Sequence, residues 1–150
     1  MGGATIRATS ARAVARAHRD GWNRAAAVYA RLRAERPALP GWQLIDVDPD
    51  GLGAAWQHLR LGLRVIESVL PYGDEGQLWH HVSVSRASRL PSWNDLKQVR
   101  ADFIGETREC YQVFPARERW VNDAPHVLHL WCSVDRPGGV LPDFRIAGTI

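Results

Sequence analysis

The stretch "QLWHHVSVSR", residues 77–86, decides how this chain is read. In a strand, alternate residues share a face. Leu78, His80, Val82 and Val84 then lie on one side, and Trp79, His81, Ser83 and Ser85 on the other. The valines must face a core, which puts His80 at the core's margin. His81, Ser83 and Ser85 become a polar row on the opposite face. The stretch is preceded by "LRVIESVLPY" (63–72), rich in β-branched residues, and by the turn "GDEG" (73–76). Two such runs around a short polar turn predict a β-hairpin.

Downstream, "LPSWNDLKQVRADFIGE" (90–106) predicts a helix over about 92–104 packed on that sheet. Ser92 is the expected N-cap, and Asp95, three residues on, completes a variant capping box. Trp93, Leu96, Val99, Arg100 and Phe103 fall on one face, and Gly105 suits a left-handed stop. "ECYQVFPA" (109–116) and "HVLHLWCSVD" (126–135) predict two more strands, and "RPGGVLPDFR" (136–145) a loop-like tail. Upstream, "WQLIDVDPDG" (42–51) predicts a strand running into a turn. "LGAAWQHL" (52–59) is ambiguous between helix and strand. The expected fold class is α+β: a mostly antiparallel sheet of about four to five strands with one helix packed on it.

The N-terminal segment is different in kind. Residues 1–36 hold eight Arg against Asp20 and Glu35, about +6, whereas the other 114 residues hold eleven bases against fourteen acids, about −3. Over about 8–36, Val14, Ala17, His18, Gly21, Ala25, Val28 and Leu32 form one stripe at helical spacing, with Arg12, Arg16 and Arg19 opposite. This predicts a long amphipathic helix. "RPALPG" (36–41) stops it. The chain therefore divides into an Arg-rich helix and Pro linker (1–41) and an α+β domain (42–150), at a length suited to one domain overall.

Composition narrows the function classes. Hydrophobic content of 45% and charged content of 23% are globular values. No apolar run reaches the roughly 18–20 residues of a membrane helix, so no membrane partner is expected. The first twenty residues have no apolar secretory core, although their Arg richness is shared by mitochondrial presequences. Cys110 and Cys132 lie in apolar stretches and are expected as buried thiols in a reducing cytoplasm.

Three chemistries compete for the polar positions. "HVS" (81–83) fits the His-x-Ser/Thr element of two-histidine phosphoesterases, in which one His is base, the other acid, and hydroxyls grip the phosphate. The second copy would be "HLW" (129–131), where Trp131 stands in the hydroxyl position, so His81, Ser83 and His129 are the candidate catalytic residues. A metal set of His126, His129 and Cys132 with His81 fails on parity, because His126 and His129 point to opposite faces of a strand. No metal and no cofactor are therefore expected; Walker, GxGxxG and GxSxG motifs are absent from the sequence. The Arg12, Arg16 and Arg19 face suggests phosphate contacts with nucleic acid. The helix that carries it suggests docking on a protein or on a second copy of the chain.

From about residue 63 to 145 the chain resembles a family of small uncharacterised proteins encoded by phages and prophages. "WHHVSVSRASRLPSWNDLKQVRADFIGE" (79–106), "YQVFPARERWVN" (111–122) and "LHLWCSVD" (128–135) carry the resemblance. It implies a phage context and no chemistry. Within that pattern Arg86, Asn122 and Trp131 are candidate binding residues beside the Arg face. The expectation is a phage accessory protein in the host cytoplasm, or carried in the virion. It would act by binding a macromolecule, a protein before a nucleic acid. A small phosphoesterase is the alternative.

Overall fold

In a computed structural model, backbone is described for residues 2–72, 77–105, 110–115, 127–134 and 144–149, and side chains for 19–71, 77–105 and 127–134. The 63–86 region is the hairpin that its alternation predicts. Strand β3 (Leu63–Tyr72) pairs antiparallel with β4 (Gln77–Ser85), with Val65 opposite Val84 and Glu67 opposite Val82. Strands β1 (Trp42–Val47) and β2 (Gly53–His58) extend the sheet on one side. Strands β5 (Cys110–Pro115), β6 (Val127–Ser133) and β7 (Phe144–Thr149) extend it on the other. The order is β1-β2-β3-β4-β6-β5-β7, and every pairing is antiparallel. The fold is therefore α+β as expected.

Among the described residues the sheet has seven strands, where about four to five were expected. "LGAAWQHL" is a strand because β1 and β3 pair with it on both edges. The loop-like tail gives way to β7 at Phe144, whose pairing with β5 is a long-range contact that no local pattern announces.

Leu78, His80, Val82 and Val84 are all fully buried. Their face carries Val65, Leu128 and Leu130 as well, and is covered by helix α2 (Trp93–Val99) and the π turn that follows it (Arg100–Ile104). Ser92 caps α2 as its sequence predicts. Its hydroxyl accepts Asp95 N–H at 3.2 Å while Asp95 accepts Ser92 N–H at 2.8 Å. The rest of this segment departs from a plain helix. In the π turn, Gly105 N–H donates to Arg100 O at 2.8 Å, five residues back. Gly105 therefore sits at φ 90°, ψ 159° rather than in the expected left-handed helical region. Phe103 and Ile104 both enter the core, but Trp93 is 49% exposed, with Lys97 over its ring at 5.8 Å. Trp93 is about 60° from Leu96 and 120° from Val99 around the helix, on the rim of the buried stripe rather than in it.

Helix α1 spans Gly2–Glu35. From Gly21 onward it lies on the sheet: Gly21 approaches Pro71, and Ala25 and Tyr29 are buried with Val69, Leu78 and Ala54. Val28 and Leu32 pack against the same cluster, half-buried. The side chains of Arg12, Val14, Arg16, Ala17 and His18 lie outside the described residues, as does Asn122. Among the described residues, no helix is long and apolar enough to cross a membrane.

Candidate functional site

Among the described residues, each face of the sheet carries a polar cluster. On the helix-covered face, Glu67 is fully buried at the boundary between the two apolar clusters. An unpaired carboxylate there would cost several kcal/mol. The fold supplies five hydrogen bonds instead. Oε1 accepts from Tyr29 Oη (2.8 Å), Arg36 (2.7 Å) and Trp56 Nε1 (3.2 Å). Oε2 accepts from Arg36 (2.6 Å) and lies 3.0 Å from His80 Nε2. Burial works to raise the carboxyl's pKa, but the bonds from His80 and Arg36 outweigh it and hold it at about 2. Arg36 also donates to Phe103 O at 3.1 Å, so this one charge fastens the end of α1, the sheet and the π turn together. His80 is thus not at the core's margin but inside it, as Glu67's partner. The same alternation that places His80 inward places Glu67 beside Val65 and Val69, and that parity was the available signal.

On the opposite face, register puts Ser83 opposite His129 and His81 opposite Trp131. The candidate histidines are brought together: His81 Nε2 lies 2.8 Å from His129 Nδ1, with the rings stacked at 5.0 Å. Trp131 stacks on His81 from the other direction at 4.3 Å. Burial pushes His81 down to about 3, with His129 and His80 adding to the effect, so the ring is neutral at ordinary pH. Ser83 shares the face, and its hydroxyl donates to Ile66 O at 3.4 Å. The pair can share one proton. Its directly bonded rings leave no gap between them for a phosphate.

The other candidates fall elsewhere. Arg86 is committed within the fold: Nε and one terminal nitrogen grip Asp95 at 2.8 and 2.7 Å, and the other donates to Leu61 O at 2.7 Å. The hydrogen bond from Arg86 holds the Asp95 carboxyl well below the usual carboxylate range. Trp131 is only 5% exposed, which keeps it from a partner's reach. Arg19 is exposed. Cys132 is a buried thiol on the core face, on the opposite side of β6 from His129. Among the described residues no group of three His, Cys, Asp or Glu side chains could hold a metal ion.

What the histidine side of the sheet does show is an open region over β1–β3. Ile45 and Ile66 are 46% and 49% exposed. A groove of about 640 Å³ runs over the small floor residues Gly53 and Ala55, between Val47, Ile66 and Leu70. Gly53 is irreplaceable there, since a Cβ would lie 2.2 Å from Glu67 O. Ile45 borders a second cleft on this side with Gln57 and Arg64. Asp46 and Asp48 line the groove, and Asp50 follows in the exposed turn.

A family model described as a domain of unknown function (DUF7694) matches residues 72–135. The match spans β4, α2, the π turn, β5 and β6, and so includes the histidine pair and Arg86. Glu67, the whole of α1 and the open groove lie outside it. No curated protein and no solved structure matches the chain.

Proposed function

We propose that the protein is a non-enzymatic accessory protein of a phage or prophage that binds another protein through the open face of β1–β3. One observation carries this reading: Ile45 and Ile66 stand about half exposed on a sheet face beside a groove, where isolated exposed residues would need no explanation. The acidic border of Asp46, Asp48 and Asp50 repels phosphates and favours a partner with apolar residues next to basic ones. That same border argues for protein before nucleic acid. The phage context rests on the resemblance of residues 63–145 alone, and it favours the host cytoplasm, with the virion as the alternative.

The test is a paired capture. Tagged full-length protein and its Ile66→Arg variant are exposed to lysate from infected or expressing cells, with Leu90→Arg as a control. Leu90 is exposed and is absent from the groove lining. A partner held by the parent and by Leu90→Arg but lost by Ile66→Arg supports the reading. Equal capture by all three removes it.

A second reading has its own observation, the convergence of His81 and His129 at 2.8 Å. A phosphoesterase would hydrolyse an activated phosphodiester and lose that activity with His81→Asn or His129→Asn. The closed contact and the neutral His81 ring lead us to expect no turnover above the variants. The third reading, nucleic-acid binding through Arg12, Arg16 and Arg19, requires an affinity for DNA or RNA that falls with salt. Changing all three to Gln would lower the salt slope by up to about 3.

A further inference from the structure

The cleft bounded by the start of β1, the β2–β3 turn and the π turn encloses about 790 Å³ and is lined by Gly41, Trp42, His58, Arg60, Leu61 and Asp102, among others. Its size is that of a small-molecule site. His58 is only 7% exposed, yet just one of its ring nitrogens is spent. Nδ1 accepts Leu61 N–H at 3.2 Å, so the neutral ring carries its proton on Nε2. Nε2 has no partner among the described residues.

The backbone beside that nitrogen is kept bare. A Cβ on Gly41 would lie 2.3 Å from Nε2, and its φ of +84° demands glycine a second time. Trp42 joins the two polar walls. Its ring stands edge-on to His58 at 5.2 Å, and its Nε1 donates to Asp102 Oδ2 at 2.8 Å. Asp102 belongs to the π turn, a distortion common at functional sites. Its carboxylate accepts from Trp42 and Gln98 and retains lone-pair capacity for another donor. Arg60, two residues beyond His58, is exposed and has no acidic partner among the described residues.

We propose that this cleft binds a small zwitterion of amino-acid or dipeptide size. Its carboxylate takes the His58 Nε2–H and the Arg60 guanidinium, and its ammonium faces Asp102. Its apolar part lies against Trp42 and Leu61. The paired charges exclude the obvious rivals. Asp102 repels a dianion such as phosphate, and a protonated Nε2 cannot ligate a metal.

The experiment follows the His58 ring and Trp42 indole signals of the full-length, isotope-labelled protein by NMR. Leucine, acetate and inorganic phosphate are added in turn. Leucine should produce saturable shifts at both residues, acetate weaker ones, and phosphate none. Arg60→Gln should weaken leucine binding about tenfold, the loss of one charge-assisted contact. Asp102→Asn, whose carbonyl still accepts from Trp42, should erase leucine's advantage over acetate. Arg89→Gln, exposed and outside the cleft, should change nothing. Shifts that never saturate with leucine, phosphate binding ahead of leucine, or an unchanged affinity in Arg60→Gln would each overturn the proposal.

Discussion

The two polar clusters of this sheet sit back to back on strand β4, and they solve burial in opposite ways. Glu67 and His80 lie on the helix-covered face, and there the fold keeps the charge and surrounds it with donors from α1, the linker and β2. His81 and His129 lie on the other face, with Trp131 stacked on His81, and there burial keeps the His81 ring neutral. The difference teaches that a convergence of titratable groups is not by itself a catalytic centre. The Glu67 cluster ties elements together across 38 residues of chain. The histidine pair joins two neighbouring strands that the ladder already holds. Neither needs a substrate to explain it, whereas the exposed isoleucines over β1–β3 have no such internal account.

This contrast sets the order of the mutational effects. The largest is expected at Glu67→Gln, which leaves the Arg36 guanidinium buried without its counter-charge. It should cost about 3–5 kcal/mol in chemical denaturation. A cost below about 1 kcal/mol would mean that the hub is replaceable and that α1 is held by apolar packing alone.

His81→Phe should cost less, about 1–3 kcal/mol at neutral pH, because it strands one His129 nitrogen in a half-buried site. Its clearer signature is in pH. His81 has a folded pKa of about 3 against an ordinary value of 6.5. The unfolded chain therefore binds more protons below about 6.5, and folding stability must fall as pH drops through that point. The slope from this residue is about 1.4 kcal/mol per pH unit down toward 3. Glu67, with a folded pKa of about 2 against 4.5, adds its own loss only below about 4.5. The window from 6.5 to 4.5 thus separates the His81 contribution from that of Glu67, and His81→Phe should make the stability profile shallower there. An unchanged slope would show that His81 is protonated in the folded protein.

The smallest effect is expected at Ser92→Ala, about 1 kcal/mol from the lost cap. It leaves both clusters untouched and so calibrates them. A Ser92→Ala cost equal to that of Glu67→Gln would erase the distinction between a local cap and a hub.

Much of this was legible in the sequence, and for local reasons. The hairpin and the capping box are written in neighbouring residues, as period-two alternation and as a Ser with an Asp three residues later. Those elements stand where the pattern put them. The candidate histidines were legible too, since parity alone places His81 and His129 on one face. Glu67 was missed because a lone acid in a β-branched run reads as a solvent residue. Its donors come from Tyr29 and Arg36, more than thirty residues away. The π turn has no signature of its own in "VRADFIGE"; the helical run still ends at Gly105, but with Gly105 extended at φ 90°, ψ 159° rather than left-handed helical. β7 and the strand state of "LGAAWQHL" depend on partners distant in sequence, which no local window contains. His58 was invisible for the same reason, because its significance comes from Gly41 and Trp42 across the β1–β2 ladder.

The central claim is that the buried clusters maintain the fold and the open β1–β3 face meets the partner. Hydrogen exchange of the full-length protein, alone and saturated with the captured partner, tests it most directly. The account predicts that added protection falls on β1, the outward positions of β3 around Ile66, and the acidic turn at 46–51. Exchange around His81 and His129 should stay unchanged. Protection confined to the histidine pair or to the Arg-bearing face of α1, with β1 and β3 unaffected, would contradict it.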